Sequence, residues 1–560
     1  METIDKWFYR EVMQWRTGAA VAWSVLVLPV TCMIYVFMST LNILYPVQSL
    51  GEFLSRCFSW SFISCVILLM VVNTAFFVYS KSTFTVIANV SITRFSQLIL
   101  LLKAPVILYS SVCNVCGIII GWICTCLINS QYNGLSVPCA ENSDVYCVNE
   151  HHIFLVLYGG YTGLMYVVYH YIGQNNVLQF PTLQQAKFFR VRRSINQAAI
   201  SSILHVFWQI KFFYILYFVF GGIPRDFIAD TLSLKYGPGA RLDTLYGLLL
   251  NFGLFWQTLL VGFFIQFSWS IGSLLYKIYN TEYYEFPIAT MFENFKNKCL
   301  VDALTCTKLP IVQALGFLDL NILSKHSFTR RKELFCLSQP GGHPHNWNKI
   351  LSVCISVIQE LNDTVQEVNW KILANAPIRQ HNIDKSVMNG SSSGLKQRLS
   401  SSEDSNVKSM TSNNPSVKEK IVTGLKKRSF LSFFFADTPD DTHKNMFASA
   451  YIQIWAVEAL STLVSASYNE DSFGIVQMSL GDIIVVILNL QENIDKHFKL
   501  TGGVTRRIQK DNDISLKYSL QTSLKTSIYN IVNTFGRHLL EIDLPVETEK
   551  KLRYFLDYRE

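Results

Sequence analysis

TGAAVAWSVLVLPVTCMIYVFM (Thr17–Met38) contains no charged side chain, and its reading decides the fold. A helix needs about 20 residues to cross a hydrocarbon layer of ~30 Å. In lipid, each backbone N–H and C=O must find its partner within the segment, so such a run reads as a helix. Five further apolar stretches follow at Phe58–Ser80, Pro105–Ile128, Ile153–Ile172, Val206–Ile223 and Leu245–Tyr276. Thr17–Met38 is too long for a cleaved signal core and reads as the first of six spans.

Lysine and arginine alternate across the loops. Lys6, Arg10 and Arg16 precede the first span; Lys81, Arg94 and Lys103 occupy the second loop; Lys187, Arg190, Arg192 and Arg193 the fourth. The first loop holds only Arg56 and the third holds no Lys or Arg, while the fifth is mixed. Short-loop bias of this kind puts the N-terminus, the even loops and everything after Tyr276 on the cytoplasmic side. The third loop then faces a lumen, an oxidising compartment in the secretory system. Its Cys139 and Cys147 are candidates for a local disulfide, the other reading being two free thiols.

Beyond the spans the chain changes character. Residues 277–375 read as a juxtamembrane helical region, with Ile311, Leu315, Leu318 and Ile322 at helical spacing. A second helix runs from Asn346 to Ala374, with Asn346 as its expected N-cap. Between them SQPGGHPHNW (Ser338–Trp347) holds two prolines and a glycine pair, which forbid a helix. Between Ala376 and Ser429 ten Lys/Arg stand against four Asp/Glu, most of the net charge of +8. Residues 376–416 therefore read as a disordered basic linker. In 417–444, Lys426, Lys427 and Arg428 precede Phe430, Phe433 and Phe434, a pattern suited to membrane-surface contact or to the start of the next core. Residues 445–560 read as a helical interaction domain of four helices, near Met446–Tyr468, Ser479–Lys499, Ile514–Glu541 and Val546–Tyr558. Gly474–Leu490 is apolar enough to suggest a seventh span, but Asp482 would cost a few kcal/mol in mid-membrane. A buried core helix is the better reading, with Trp455, Ile452 and Leu463 in that core.

Chemistry is sparse. His343, His345 and Cys336 fit no zinc spacing, and no nucleotide loop, HExxH or nucleophile elbow occurs. Neither metal nor cofactor is expected. Lys211, with His205 and Gln209, is the nearest approach to a transport pathway, and a lysine there can snorkel. Gly159 and Gly163 stand four apart, a small-xxx-small helix-packing pair. The residues support an all-α polytopic membrane anchor with a cytosolic helical module; a transporter or channel is the alternative, and an enzyme is not expected.

Four strings add a resemblance: SQPGGHPHNW, FPTLQQAKFFRVRRS (Phe180–Ser194), CAENSDVYCVNEHH (Cys139–His152) and QIWAVEALSTLVSASYNEDSFGIVQ (Gln453–Gln477). Together with TSLKTSIYNIVNTFGRHL (Thr522–Leu539), they resemble the nuclear division cycle protein one family of transmembrane nucleoporins. The linker here is much shorter than in the vertebrate-type members. The resemblance implies a nuclear pore membrane protein of the nuclear envelope, with both termini on the cytoplasmic or nucleoplasmic side. It implies a structural anchor of the nuclear pore complex that supports pore assembly and the transport of protein and mRNA. The implied partners are soluble nucleoporins, among them an aladin-type WD-repeat protein and an RRM-bearing inner-ring scaffold nucleoporin. Membrane lipid is implied too, and no direct nucleic acid.

Overall fold

The computed structural model describes residues 3–42, 44–88, 94–128, 132–139, 146–181, 184–235, 242, 247, 251–289, 298–337, 342–375, 446–447, 450–501, 511–542 and 544–557. The chain is helical nearly throughout. Helix α1 (Ile4–Phe8) runs through a π-turn into α2 (Gln14–Thr40), followed by α3 (Pro46–Cys57), α4 (Trp60–Ser80), α5 (Arg94–Leu101) and α6 (Ala104–Leu127). Next come a hairpin of β1 (Ser136–Pro138) and β2 (Tyr146–Val148), then α7 (Glu150–Ile172), α8 (Lys187–Phe220), α9 (Gly222–Leu232) and α10 (Phe252–Asn280). Among the described residues six helices are long and apolar enough to cross a membrane: α1–α2, α4, α6, α7, α8 and α10.

Two of these helices depart from their expected limits. Helix α8 starts at Lys187, far ahead of Val206, because FFRVRRSINQ contains neither Gly nor Pro and the helix continues past the apolar run. At its far end Gly221 alone separates it from α9, which starts at Gly222. Helix α10 starts at Phe252 rather than Leu245, where the Asn251 side chain caps it by accepting from Leu254 N at 3.0 Å.

Helices α10 and α7 form the centre of the bundle, with 67% and 61% of their most apolar windows buried. Trp269 of α10 is fully buried; it stacks on Phe76 with centroids 4.2 Å apart and meets Tyr166 edge-on at 5.0 Å. In a lipid solvent the driving force between helices is such contact rather than removal from water. The bundle has two distinct ends. At one, the second loop pairs with the segment after α7: Thr85 N donates to Asn176 O and Leu178 N to Thr85 O. At the other, the hairpin meets the fifth loop, with Val148 N donating to Lys235 O and Lys235 N to Tyr146 O.

Past α10 come α11 (Leu300–Leu304), α12 (Pro310–His326), α13 (Phe328–Leu334), α14 (His345–Asn375), α15 (Ala450–Glu470), α16 (Leu480–Thr501), α17 (Asp511–Phe535) and α18 (Val546–Leu556). Helix α12 is buried on nearly every side instead of amphipathic, for α11, α13 and α15 all pack on it. Helix α16 is the core helix at Gly474–Leu490; it buries Ile483, Ile484, Ile487 and Leu488 and starts at Leu480. The juxtamembrane and C-terminal stretches share one hydrophobic core, from Leu300 to Leu552. Neither closes alone, since α12 packs against α15, and α15 in turn against α17.

Candidate functional site

The junction between the membrane half and the helical unit is the most elaborately built part of the molecule. After α10 the chain leaves the helix, runs without regular secondary structure from Tyr283 to Ala289, and is clamped by Asp319 of α12. That carboxylate is wholly buried. It receives two N–H groups of Arg330 at 2.8 Å each, the Tyr283 hydroxyl at 2.8 Å and Phe286 N at 2.9 Å. Arg330 also donates to Phe286 O at 2.6 Å. Arg16, below the first span, donates to the carbonyls of Glu282 and Tyr283 at 2.8 and 3.1 Å. Arg190 reaches Ile278 O and the Thr281 hydroxyl at 3.3 and 3.0 Å. The N-terminus joins the same core, Phe8 stacking on Phe286 at 5.6 Å.

A second contact lies to one side. Phe180, after α7, meets Trp455 of α15 edge-on at 5.5 Å. Trp455, Ile452 and Leu463 all lie in the hydrophobic core as expected, and Trp455 is also part of the joint between the halves. Within the unit Glu458 binds three helices together, accepting from Lys325 at 2.6 Å, Asn321 at 3.1 Å and Ser523 at 2.9 Å. Burial pushes its carboxyl up, but the Lys325 ammonium and these donors outweigh burial and hold it below the ordinary glutamate value. Arg331 and Glu470 form a two-pronged pair at 2.9 and 2.7 Å between α13 and α15.

Gly159 and Gly163 lie on the α6–α7 seam. A Cβ at Gly163 would fall 2.2 Å from Cys113 O, and one at Gly159 would fall 2.4 Å from Gly117 O. The two backbones are in direct contact there. The partner surface, Gly117 and Gly121, repeats the same four-residue spacing on the third span, a signal present in the sequence and not used.

At the far end Cys139 and Cys147 form a disulfide with Cα atoms 5.1 Å apart, across a hairpin in which Val137 faces Cys147. Glu150, buried at the start of α7, takes Arg225 Nη1 at 2.8 Å and the amide of Leu242 at 2.5 Å. His151 and His152 are structural: one lies 3.1 Å from the Asn251 amide nitrogen, the other 2.9 Å from Tyr132 O.

Other candidates fare differently. Lys426, Lys427, Arg428, Phe430, Phe433 and Phe434 lie outside the described residues, as do 376–416 and the rest of 417–444. Helix α14 begins at His345, so Asn346 sits inside its first turn and its amide donates instead to Ala289 O at 2.9 Å. Trp347, beside it, is fully buried and donates to the Ser479 hydroxyl at 3.1 Å. The SQPGGHPHNW string thus carries a structural anchor. Among the described residues no group of His, Cys, Asp and Glu is arranged to hold a metal. Lys211 lies on the outer surface of α8, its ammonium 4.5 Å from the centre of the Trp208 ring. Sequence reasoning missed Asp319, Arg330 and Arg16; an aspartate inside the apolar run of α12 was the available signal, because a buried carboxylate demands a partner.

Comparison with known proteins agrees with this architecture. The family model described as nucleoporin protein Ndc1-Nup matches residues 11–553. Nucleoporin NDC1 of Xenopus laevis is 30% identical over 98% of this chain and 99% of its own length. The NDC1 nucleoporins of Mus musculus and Danio rerio are 29% and 27% identical, each covering at least 97% of both chains. Six apolar helices, a helical unit fixed to one end of their bundle, and an end-to-end match to these relatives lead to one assignment: this chain belongs to the Ndc1-Nup family of nuclear pore membrane nucleoporins.

Proposed function

We propose that the protein is a structural anchor of the nuclear pore complex, with no enzymatic activity. The six spans hold it in the pore membrane, and the helical unit is a rigid mount on which soluble nucleoporins dock. An aladin-type WD-repeat protein and an RRM-bearing inner-ring scaffold nucleoporin are the proposed partners; membrane lipid is the other, and nucleic acid is not contacted directly. Both termini face the cytoplasm or nucleoplasm, and through docking the chain supports pore assembly and the passage of protein and mRNA.

One observation carries this reading: the clamp of Asp319 on the segment leaving the sixth span. A module that only needed tethering could hang on a loose chain. A module whose core closes around Phe8, Phe286 and the segment leaving the sixth span transmits the position of the membrane to whatever binds it. The α6–α7 seam, closed backbone to backbone, also suits a packed anchor better than a transport pathway.

Proximity labelling from the C-terminus in intact cells tests the reading. Enrichment of soluble nucleoporins supports it, and a scatter of plasma-membrane proteins overturns it. Sidedness is tested separately with glycosylation acceptors: one placed near Asn142 is modified, while ones near Gln184 or Ser400 are not. The reverse pattern inverts the orientation.

A further inference from the structure

Beyond anchoring, we infer that the membrane half carries a binding site for a phosphate group, at headgroup depth between α7, α8 and α10. The site is a cavity of about 290 Å³ whose lining includes Tyr166, Asn175, Ser194, Gln197, Ser273 and Lys277. Its depth follows from the surrounding bonds. Arg190 reaches Ile278 O and Thr281 at the end of α10, so Lys277 lies one turn inside the boundary that carries the helical unit.

Lys277 is the centre of the argument. Among the described residues it has no ion pair and its ammonium makes no hydrogen bond. The nearest acidic side chain in sequence, Glu282, pairs with Lys187 at 2.9 Å. A lysine near a helix end can satisfy itself by lying along the surface with its ammonium in water. This one instead lines a half-open crevice whose walls combine hydroxyls and amides with the apolar surface of Ala198 and Leu274. The Tyr166 hydroxyl and Ser273 are 2.6 Å apart, and those of Tyr169 and Ser201 are 3.3 Å apart, so part of the wall is already ordered. One cation with several neutral donors, and no carboxylate among the lining residues, suits an oxyanion with more acceptor oxygens than one lysine can satisfy. At headgroup depth the phosphate monoester of an anionic lipid meets that description, and a free phosphate carries the same chemistry.

The test uses the full chain in phosphatidylcholine nanodiscs doped with phosphatidic acid, with bound lipid counted by native mass spectrometry. One phosphatidic acid is retained by the wild type. Lys277→Gln weakens retention about tenfold, the loss of one charge-assisted contact, and Lys277→Arg restores it. Lys211→Gln, which removes a cation from the outer surface of α8, leaves retention unchanged. If Lys277→Gln is not monodisperse, Gln197→Leu on the opposite wall gives the same reading. Displacement by millimolar inorganic phosphate identifies the phosphate group alone as the ligand; failure to displace identifies the lipid. Equal retention by Lys277→Gln and wild type, or equal retention of phosphatidylcholine and phosphatidic acid, overturns the site.

Discussion

Asp319→Ala should destabilise the helical unit more than any surface substitution. The carboxylate is wholly buried, and Arg330, its partner, is only 12% exposed. Removing the acid strands that guanidinium and leaves the Tyr283 hydroxyl and the Phe286 amide without their acceptor. Breaking a buried pair from one side costs about 3–5 kcal/mol. The two neutral donors alone account for about 1–3 kcal/mol of this. For a unit of this size each kcal/mol moves the midpoint by roughly 2–4 °C, so a fall on the order of 10 °C is expected. Thermal unfolding of the full-length protein in detergent, followed through tryptophan fluorescence, reads it, since Trp347 and Trp455 both report on the unit. The double substitution Asp319→Leu with Arg330→Met should recover most of the loss, because no charge is then left unpaired. A single variant within about 1 kcal/mol of wild type, the worth of an exposed pair, would refute the clamp. So would a double variant no more stable than the single.

Three further outcomes are expected. Gly163→Leu should cost at least about 1–3 kcal/mol by forcing α6 and α7 apart, whereas Gly18→Leu, with open space around it, should cost little; both are read as melting temperatures in detergent. Non-reducing peptide mapping should recover Cys139 and Cys147 as one linked species, and Cys139→Ser should lower stability by about 2 kcal/mol, the entropy of a short closed loop. The Glu458 carboxyl is held below its ordinary value, so its contribution is full above about pH 4.5 and lost as pH falls through the depressed value. The melting difference between wild type and Glu458→Gln should therefore be present at pH 7 and vanish in more acid solution; a difference that grows on acidification contradicts the pairing.

Much of the membrane half was legible because lipid imposes a length and a polarity on every helix, and Thr17–Met38 displays both. The limits of α8 were not, since hydropathy stops where lipid stops, whereas helix propensity carries FFRVRRSINQ onward. The helices of the C-terminal unit followed from periodicity, as did the packing role of Gly159 and Gly163. What periodicity does not encode is which surfaces meet. Asn346 looked like a cap by residue type, yet its amide goes to Ala289, a partner distant in sequence. Trp455 is core, as its size and hydrophobicity suggest, but only the approach of Phe180 reveals that it is a joint as well. Asp319 was visible as a residue but not as a clamp, since its donors come from two separate stretches.

The shared core also sets a schedule for biosynthesis. Ile4 and Phe8, which precede every span, belong to the same cluster as Leu539 and Leu552, which follow them all. The spans can enter the bilayer one after another, each completing its own backbone bonding on arrival. The helical unit has no such piecemeal route: α12 must wait, its apolar side chains uncovered, until α15 has been translated, and α15 in turn until α17. Contacts separated by so much chain form slowly. Until they form, the nascent protein presents α12 and the segment after α10 as sticky surface beside the membrane, the condition under which newly made chains aggregate or recruit chaperones. Truncation between α10 and α17 would then yield an inserted bundle carrying a permanently unfolded half, a substrate for quality control instead of a shorter working protein.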